Sequence, residues 1–468
     1  MVQKIKFGTD GWRAIIAKEY TVENVTRVAE GTAKWVKQRN GSKVVIGHDC
    51  RFGGKLFAET TARVLGAYGI KSYLAPDFVS TPMVSLGIVK TGSDMGVVIT
   101  ASHNPPSYNG YKLKSKLGGP MIEKEVLEVE ALIPDKAMQE LPTIAELEEK
   151  GLVEYRDFEQ IYIDHVESNF DMELIKNAGF GIAFDPMYGA GQRAMKRLFP
   201  NAVFIHNDYN PSFKGQAPEP ILRNLRPFAE LIKKDGSIKV GIATDGDADR
   251  IGMFDEDGQF VDSHHILLML LIYKFKYQKE RGKVVVSFSV TNKLEQLARE
   301  YGLDYKVTKI GFKYIAEIMA NEHVIVGGEE SGGLAVSGHI PERDGIWIGM
   351  VILEYMARTG KTLKELVDEV HDAVGTFTFD RDDLHLTEAI KQRVIADCKA
   401  GTYKSFGDYK VTRVDTIDGF RFYMGEDRWV MIRPSGTEPV LRIYAQAPTI
   451  EETRTVLDVV ERAIGVVD

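Results

Sequence analysis

The sequence predicts three α/β domains with mixed, largely parallel sheets, followed by a smaller α+β domain. The first observation behind this prediction is a strand, turn, helix, strand pattern that occurs three times in the chain up to Thr308, as parallel strands joined by crossover helices require. The second is a change after about Gly375, where short alternating apolar segments lie between tight turns, which is typical of an antiparallel sheet. The third is the length of 468 residues, with 44% hydrophobic and 27% charged residues, which suits a globular protein of several domains.

Each repeat begins with a short apolar strand that runs into a turn and then into a helical pattern. In the first repeat the helix is indicated by Ala58, Ala62 and Leu65, which recur at helical spacing. The predicted strand pairs lie at 44–49 with 70–75, at 181–185 with 202–206, and at 283–288 with 305–308.

The C-terminal part is predicted to form an antiparallel sheet that is closed by a helix at 450–463. Its strands are expected at 409–414, 420–423, 429–432 and 441–445. We place the domain boundaries in the polar and turn segments that separate these patterns. The resulting domains are 1–150, 151–257, 258–374 and 375–468.

Composition and charge exclude several function classes. The formal net charge of −8 and the lack of a dense Lys/Arg run argue against a general nucleic-acid binder. The longest apolar run, 266–273, is too short to span a bilayer, and residues 1–8 have no signal-type apolar core, so we expect no membrane partner and a cytoplasmic location. The two cysteines, Cys50 and Cys398, lie far apart, which implies no disulfide framework and fits a reducing compartment.

The first candidate functional stretch is 95–106, where an apolar strand ends close to a serine. Residues 97–99 are β-branched and continuous, as in a strand buried on both faces, while 104–106 cannot continue a sheet. Ser102 therefore lies at the carboxyl end of a strand, which is the edge where open α/β sheets bind ligands. Its hydroxyl is a candidate for covalent chemistry, and an ordinary polar turn is the alternative.

The second stretch follows the predicted strand 240–243 and carries carboxylates at alternate positions: Asp245, Asp247 and Asp249. These carboxylates repel one another unless a cation lies among them, and hard oxygen ligands suit Mg²⁺. An EF-hand calcium loop is excluded because Arg250 stands where its sharp turn requires glycine, and because the flanks are predicted strands. A solvated acidic turn remains the alternative.

Two further strands end in turns that are rich in glycine and polar groups. Glu329, Glu330 and Ser331 follow one of them and could hydrogen-bond the hydroxyls of a sugar, although an ordinary acidic turn has the same composition. Arg433 begins the turn 433–439, whose hydroxyls and backbone N–H groups could hold a monoester phosphate. A flexible Ser/Gly loop is the alternative for this turn.

Taken together, these stretches resemble the motifs of one family. The chain resembles the α-D-phosphohexomutase superfamily, the phosphoglucomutase and phosphomannomutase group, over essentially its whole length. The matching segments are 7–13, 100–105, 108–112, 245–250, 328–332 and 433–439.

The resemblance implies four domains arranged around a central cleft, with Ser102 carrying a phosphoryl group. One Mg²⁺ ion per chain would be held by Asp245, Asp247, Asp249 and an oxygen of the Ser102 phosphate. A hexose 1-phosphate and a hexose 6-phosphate would interconvert through a bound 1,6-bisphosphate, and glucose 1,6-bisphosphate would act as an activator.

The resemblance also implies roles for individual side chains. Positive charge would be supplied to the transferred phosphoryl group by Arg13, Lys112, Arg250 and Lys309. Lys112 or His103 would move the proton. The residues expected to bind the sugar and the phosphate that is not transferred are Lys309, Glu329, Ser331, Arg433, Ser435, Gly436 and Thr437.

The substrate is expected to be glucose phosphate first, mannose phosphate second and glucosamine phosphate third. Related enzymes with a dual glucose and mannose role, and the glucosamine enzymes, commonly have histidine where this chain has Gly333. The Glu-Glu-Ser sequence and the segment 340–345 resemble the glucose enzymes. A sugar-phosphate phosphatase and a non-catalytic sugar-phosphate-binding protein remain as alternatives from other classes. A monomer and a homodimer are both compatible with the sequence.

Overall fold

A computed structural model describes residues 4–434 and 440–466 of the chain. The chain forms two compact units, each built from two segments. The first unit comprises Met1–Val285 and Gly311–Val367, and the second comprises Val286–Ile310 and Asp368–Asp468. Within the described residues, no helix is both long and apolar enough to cross a membrane.

The first unit begins with six strands and five helices: β1 (Trp12–Ile15), α1 (Val22–Gln38), β2 (Lys43–His48), α2 (Gly54–Ala67), β3 (Lys71–Leu74), α3 (Thr81–Thr91), β4 (Met95–Ile99), β5 (Tyr108–Ser115), α4 (Glu123–Ala131), α5 (Ile144–Glu149) and β6 (Val153–Tyr155). The strands form one mixed sheet in the order β1-β5-β4-β2-β3-β6. Strands β4, β2, β3 and β6 are parallel, while β5 and β1 run antiparallel to their neighbours.

Strand β2 shows why helices cover both faces of this sheet. Its residues Val44 and Ile46 belong to the core that also contains the buried side chains of α1 and α2. A Cβ at Gly47 would instead meet Val84 of α3. Successive side chains of a strand point to opposite faces, so the continuous apolar sequence is explained by burial on both sides.

The next part of the first unit contains five helices and five strands: α6 (Phe158–Asn169), α7 (Met172–Lys176), β7 (Gly181–Asp185), α8 (Gln192–Leu198), β8 (Val203–Phe204), α9 (Arg226–Lys234), β9 (Ile238–Thr244), β10 (Ile251–Asp255), β11 (Phe260–Val261) and α10 (Ser263–Ile272). The sheet order is β11-β10-β9-β7-β8. Strands β9, β7 and β8 are parallel, and β10 returns antiparallel to β9, with Thr244 opposite Ile251.

A third α/β region follows with these elements: β12 (Lys283–Ser287), α11 (Lys293–Glu300), β13 (Tyr305–Thr308), α12 (Phe312–Met319), β14 (Val324–Gly328), β15 (Leu334–Val336), α13 (Gly345–Thr359) and α14 (Leu363–Val374). Strands β14 and β15 pair antiparallel, with Val326 opposite Val336. Helix α12 buries Phe312 and Ile315 in a core that includes Val285 and Val324.

The C-terminal part contains seven strands and two helices: β16 (Thr378–His385), α15 (Glu388–Ala400), β17 (Ser405–Phe406), β18 (Tyr409–Lys410), β19 (Arg413–Asp415), β20 (Phe420–Tyr423), β21 (Trp429–Pro434), β22 (Val440–Ala447) and α16 (Ile450–Ala463). Five strands form an antiparallel sheet in the order β16-β22-β21-β20-β19, and β17 pairs with β18 in a separate hairpin. Val456 and Val460 of α16 share a core with Ile432 and Ile443 of this sheet.

The predicted fold class is confirmed, including the C-terminal antiparallel sheet and its closing helix. The single strand predicted at 409–414 is wrong, because the chain changes sheets there: the N–H of Val411 donates to Lys404, and the N–H of Thr412 donates to Tyr423. Strand β16 was not predicted. It is an edge strand with acidic side chains, so it lacks the apolar alternation that indicates a strand.

Candidate active site

Ser102 lies just beyond the end of β4, as predicted. Its backbone is left-handed, with φ 52°, a conformation that a non-glycine residue adopts under constraint. The N–H of Ser102 donates to Oγ1 of Thr100 at 2.9 Å. The side chain is fully buried; its Oγ donates to Oδ2 of Asp245 at 2.6 Å and lies 3.3 Å from Nδ1 of His103. The predicted serine therefore meets a carboxylate from a distant part of the chain.

The acidic turn, residues 245–250, joins β9 to β10. It is therefore flanked by strands and not by the helices of an EF-hand. Oδ1 of Asp245 accepts hydrogen bonds from the N–H groups of Asp249 at 3.0 Å and Arg250 at 3.1 Å. One oxygen from each of Asp245, Asp247 and Asp249 lies within 4.8 Å of the others, and all three side chains are fully buried. Burial, and then repulsion from the other two carboxylates, raises the pKa of Asp245 well above its ordinary value.

Direct contacts fix the serine loop, residues 102–108, against the acidic turn. A Cβ at Gly246 would lie 2.6 Å from the carbonyl oxygen of Ser102, so only glycine allows this approach. On the other side, Thr81 at the start of α3 donates its Oγ1 to Oδ2 of Asp247 at 2.5 Å and its N–H to the Asp247 carbonyl at 3.0 Å. The carboxylates are therefore preorganised by the protein.

The acidic turn has the chemistry of a Mg²⁺ site. The Oδ1 atoms of Asp247 and Asp249 are buried, and neither accepts a hydrogen bond from the part of the chain that the structure describes. Buried carboxylate oxygens without a donor are costly, and a hard divalent cation would satisfy them. The three aspartates thus fit the ion that the sequence predicts.

Lys112 on β5 is buried among carboxylates. Its Nζ lies 2.8 Å from Asp247, 3.0 Å from Asp249 and 2.9 Å from Asp10. Burial alone would lower the pKa of Lys112, but these three carboxylates together raise it above its ordinary value. The side chain is therefore an ammonium group that neutralises the acidic turn.

Asp10 and Arg343 extend this charge network. Nη2 of Arg343 lies 2.7 Å from Asp249 and 2.9 Å from Asp10. Arg13, a predicted site residue, pairs with Asp10 at 3.0 Å and donates to Oδ1 of Asn104 in the serine loop at 2.8 Å. Asp10 thus pairs with the predicted cations Arg13 and Lys112 and also with Arg343, which the sequence did not indicate.

His103 and Arg250 are both predicted site residues, and the charge of Arg250 acts on the imidazole of His103. Burial, and then the charge of Arg250, lowers the pKa of His103 well below its ordinary value, so the imidazole is neutral near pH 7. The side chain of Arg250 is partly buried beside the acidic turn. A neutral imidazole 3.3 Å from the serine hydroxyl can accept a proton.

The predicted sugar loop begins at the end of β14. Glu329 is buried; its Oε1 accepts the N–H of Gly311 at 2.7 Å, and burial raises its pKa to about 7. The carbonyl of Gly332 accepts the N–H of Ile251, the residue that follows the acidic turn, at 3.0 Å. Ser331 is partly buried within the same loop. Within the first unit, the hydrogen bond from Ile251 to Gly332 connects the sugar loop, residues 328–332, to the end of the acidic turn.

The second unit carries the remaining predicted positions. Oδ2 of Asp418 accepts the N–H of Ile310, next to Lys309, at 2.9 Å and lies 3.4 Å from Nη2 of Arg433. One carboxylate thus links the predicted Lys309 segment to the predicted phosphate loop. Three further predicted residues lie outside the described residues: Ser435, Gly436 and Thr437.

Sequence reasoning missed several residues of the site. Asp10 and Arg343 lie in segments that were recognised by resemblance, but nothing in their local sequence indicates an ion pair with each other. Thr81 lies at the start of an ordinary helix and gives no sequence signal at all. Each of the three contacts partners far away in the chain, which only the tertiary structure brings together.

Profiles of the four domains of the phosphoglucomutase/phosphomannomutase family match the chain in order. The α/β/α domains I, II and III match residues 4–140, 160–258 and 262–373, and the C-terminal domain matches residues 386–463.

Individual relatives match over nearly the whole chain. A phosphoglucomutase/phosphomannomutase of Thermococcus kodakarensis is 30% identical over 463 residues, which cover 97% of this chain and 96% of the relative. A phosphoglucosamine/phosphogalactosamine mutase of Sulfurisphaera tokodaii is 30% identical over 457 residues, with 94% and 95% covered. The crystal structure of a candidate phosphomannomutase of Thermus thermophilus superposes with a TM-score of 0.87 at 32% identity, covering 99% of this chain and 100% of that one.

The chain therefore belongs to the phosphoglucomutase/phosphomannomutase family of the α-D-phosphohexomutase superfamily, whose members are phosphotransferases that act as mutases. Its relatives include both glucose/mannose and glucosamine enzymes. The comparisons accordingly support a phosphohexomutase, and they do not confirm a preference for glucose.

Proposed function

We propose that the protein interconverts hexose 1-phosphates and hexose 6-phosphates through a phosphorylated Ser102 and a bound hexose 1,6-bisphosphate. The observation that carries this proposal is the hydrogen bond of 2.6 Å from Ser102 Oγ to Asp245, within three buried carboxylates suited to Mg²⁺. When bound by Asp245, Asp247 and Asp249, Mg²⁺ would supply positive charge to the phosphoryl oxygens on Ser102.

The protein's own groups would manage charge and protons around the transferred phosphoryl group. A hydroxyl of the sugar phosphate attacks the phosphorus on Ser102 and loses its proton, while the bond from phosphorus to Oγ breaks and Oγ takes up a proton. The neutral imidazole of His103 lies 3.3 Å from Oγ, so it is placed to take the proton of the Ser102 hydroxyl when the bisphosphate phosphorylates the serine, and to return that proton to Oγ in the reverse step. Lys112 remains an ammonium group and acts through its charge, as do Arg13 and Arg250.

We assign the other predicted residues to substrate binding. Glu329 and Ser331 would hydrogen-bond sugar hydroxyls, since the loop that carries them adjoins the acidic turn. Residues of the second unit would bind the phosphate that is not transferred, through basic and hydroxyl side chains and through backbone N–H groups of the turn 433–439. These residues are Lys309, Arg433, Ser435, Gly436 and Thr437.

We propose glucose phosphate as the preferred substrate, mannose phosphate as the second and glucosamine phosphate as the third. A Cβ at Gly333 would lie 2.5 Å from Cδ of Arg343, so Arg343 occupies the space that a histidine at this position would need. Ion pairs with Asp10 and Asp249 hold Arg343 in this position. A coupled assay that compares kcat/KM for the three hexose 1-phosphates tests this order, and a preference for glucosamine phosphate would overturn it.

The test of the central proposal uses Ser102→Ala and, as a matched control, Ser107→Ala, which changes an exposed serine of the same loop. Intact mass, before and after phosphatase treatment, reports whether the protein carries a phosphoryl group. Dephosphorylated wild type should be inactive until a trace of glucose 1,6-bisphosphate is added, because this molecule can phosphorylate the empty serine. Ser102→Ala should stay inactive with the primer, and Ser107→Ala should behave as wild type.

The same experiment separates the alternative classes. A phosphatase needs no primer and releases inorganic phosphate in step with turnover. A sugar-phosphate-binding protein binds the ligand and shows no turnover in either state. Stoichiometric phosphate release by wild type, or full isomerisation by Ser102→Ala, would refute the phosphoserine mechanism.

A further inference from the structure

Arg51 is a fully buried arginine in the turn between β2 and α2, and its guanidinium lies against the backbone of the serine loop. Nη2 donates to the carbonyl of Ser102 at 2.6 Å and to that of Asn104 at 2.6 Å. Nη1 donates to the carbonyl of Pro105 at 2.8 Å and to that of Tyr108 at 3.0 Å. Four carbonyl groups of one loop therefore converge on a single cation that is 1% exposed.

Asp49 fixes the orientation of this guanidinium. Its Oδ2 lies 3.2 Å from Nε of Arg51, and its Oδ1 accepts the N–H of the same residue at 2.9 Å. Oδ2 of Asp49 also accepts the hydroxyl of Thr100 at 2.5 Å, and that hydroxyl oxygen accepts the N–H of Ser102. Asp49 thus contacts both Thr100, which precedes the serine, and Arg51, whose guanidinium binds the carbonyl groups from Ser102 onward.

The serine loop needs such a support because its conformation is strained. Ser102 has φ 52°, and strained residues persist only where the surrounding contacts determine the backbone. Four of its carbonyl oxygens accept hydrogen bonds from the guanidinium, and buried carbonyl groups that lose a donor are costly. A lysine cannot replace this group, because an ammonium has three donors and no planar fork.

We propose that Arg51 is a positioning residue for phosphoryl transfer: its guanidinium, oriented by Asp49, holds the loop 102–108 in the geometry that presents Ser102 Oγ to the acidic turn. This inference rests on the proposed function. Arg51 touches no reacting atom; it acts on the serine through the backbone carbonyls. Its loss should therefore reduce the rate of phosphoryl transfer without weakening substrate binding.

The experiment compares Arg51→Lys and Arg51→Ala with Arg27→Lys and Arg27→Ala. Arg27 is a matched control in the same domain, since it is 4% exposed and donates to the carbonyl of Pro134 at 2.8 Å, away from the serine loop. Three measurements are made on each protein: kcat and KM, the rate at which glucose 1,6-bisphosphate phosphorylates Ser102 by intact mass, and the amide hydrogen exchange of the peptide 100–110.

For Arg51→Lys we expect kcat and the phosphorylation rate to fall by roughly 100-fold, because a misplacement of about 1 Å can have that effect. KM should stay within about twofold, and the amides of 100–110 should exchange faster. The Arg27 variants should keep wild-type values for all three. Guanidinium ion added at millimolar concentration should raise the kcat of Arg51→Ala by about tenfold or more, and urea should not.

Wild-type kcat and wild-type loop exchange in Arg51→Lys would overturn the inference. The inference would also be overturned if the loss of activity in the Arg51 variants were proportional to the loss of folded protein and if guanidinium did not restore the activity of Arg51→Ala. If wild type itself takes no phosphoryl group from the bisphosphate, the proposed function fails, while the exchange of 100–110 still decides whether Arg51 holds the loop.

Discussion

Lys112→Met removes a buried ammonium group from between three carboxylates while it keeps most of the side-chain volume. The Nζ atom lies within 3.0 Å of Asp10, Asp247 and Asp249, and 1% of the side chain is exposed. Loss of one partner from a buried ion network leaves uncompensated charge and typically costs about 3–5 kcal/mol. At roughly 2 °C per kcal/mol for a large folding unit, the metal-free variant should melt roughly 6–10 °C below wild type.

Mg²⁺ should reverse much of this loss. In the wild type the ammonium group and the proposed metal ion would both neutralise Asp247 and Asp249, whereas in the variant only the metal ion would do so. A ligand that binds the folded state stabilises it according to its concentration and affinity. Saturating Mg²⁺ should therefore raise the melting temperature of Lys112→Met by more than it raises that of wild type. The variant should still be inactive, because the charge near the phosphoryl group is missing.

Thermal melts by fluorescence, with EDTA and with a Mg²⁺ titration, measure both effects. Lys116→Met is the matched control, since it removes an exposed lysine just beyond the same strand. The control should melt within about 1 °C of wild type, as surface substitutions usually do. A metal-free melting temperature of Lys112→Met equal to that of the control would refute the charge-balance reasoning. An identical response of Lys112→Met and wild type to Mg²⁺ would refute the shared role of ammonium and metal.

Three further perturbations test other parts of the site. Asp247→Asn should abolish turnover while far-UV circular dichroism stays unchanged, and full wild-type activity in excess chelator would contradict the metal assignment. Arg433→Ala would remove the proposed charge-assisted contact with the substrate phosphate, worth roughly 1.5–3 kcal/mol, so KM should rise roughly 10- to 150-fold. Arg413→Ala, which breaks an exposed ion pair, should leave KM unchanged. Because burial raises the pKa of Glu329 to about 7, its protonated form stabilises the fold at low pH, and this contribution, on the order of 3 kcal/mol, is lost as pH rises through 7. The melting temperature of wild type relative to Glu329→Gln should therefore fall between pH 5 and pH 8, and a constant difference would contradict the raised pKa.

The parts of the site that the sequence predicts correctly are those set by local rules. A buried strand must be continuous and apolar, and it must end where polar and turn residues begin, so Ser102 and Asp245 could be placed at strand ends. Their meeting could not be derived from spacing, because β4 and β9 belong to different sheets. The resemblance to a family indicated that contact, and the geometry then supplied the distance of 2.6 Å.

The supporting residues were not predictable, for a physical reason. Arg51 and Arg343 are arginines in polar turns, and in sequence they are indistinguishable from ordinary surface arginines. Their burial is made possible by partners from elsewhere in the chain: loop carbonyls around Arg51, and the carboxylates of Asp10 and Asp249 around Arg343. Such a partner set exists only after folding, so no periodicity or spacing records it.

The geometry around Asp10 gives the N-terminal segment 7–13 a physical role in the proposed reaction. Its Oδ2 lies 3.0 Å from Arg13, 2.9 Å from Lys112 and 2.9 Å from Arg343, so one carboxylate holds three cations that would otherwise repel one another. Burial by itself would raise the pKa of Asp10, but these cations lower it well below its ordinary value, which keeps the carboxylate charged. In the proposed reaction, this negative charge would limit how tightly the three cations bind a phosphate. A mutase that must let a bisphosphate turn round between two transfers needs that limit, since cations without a counter-charge would hold the intermediate too strongly.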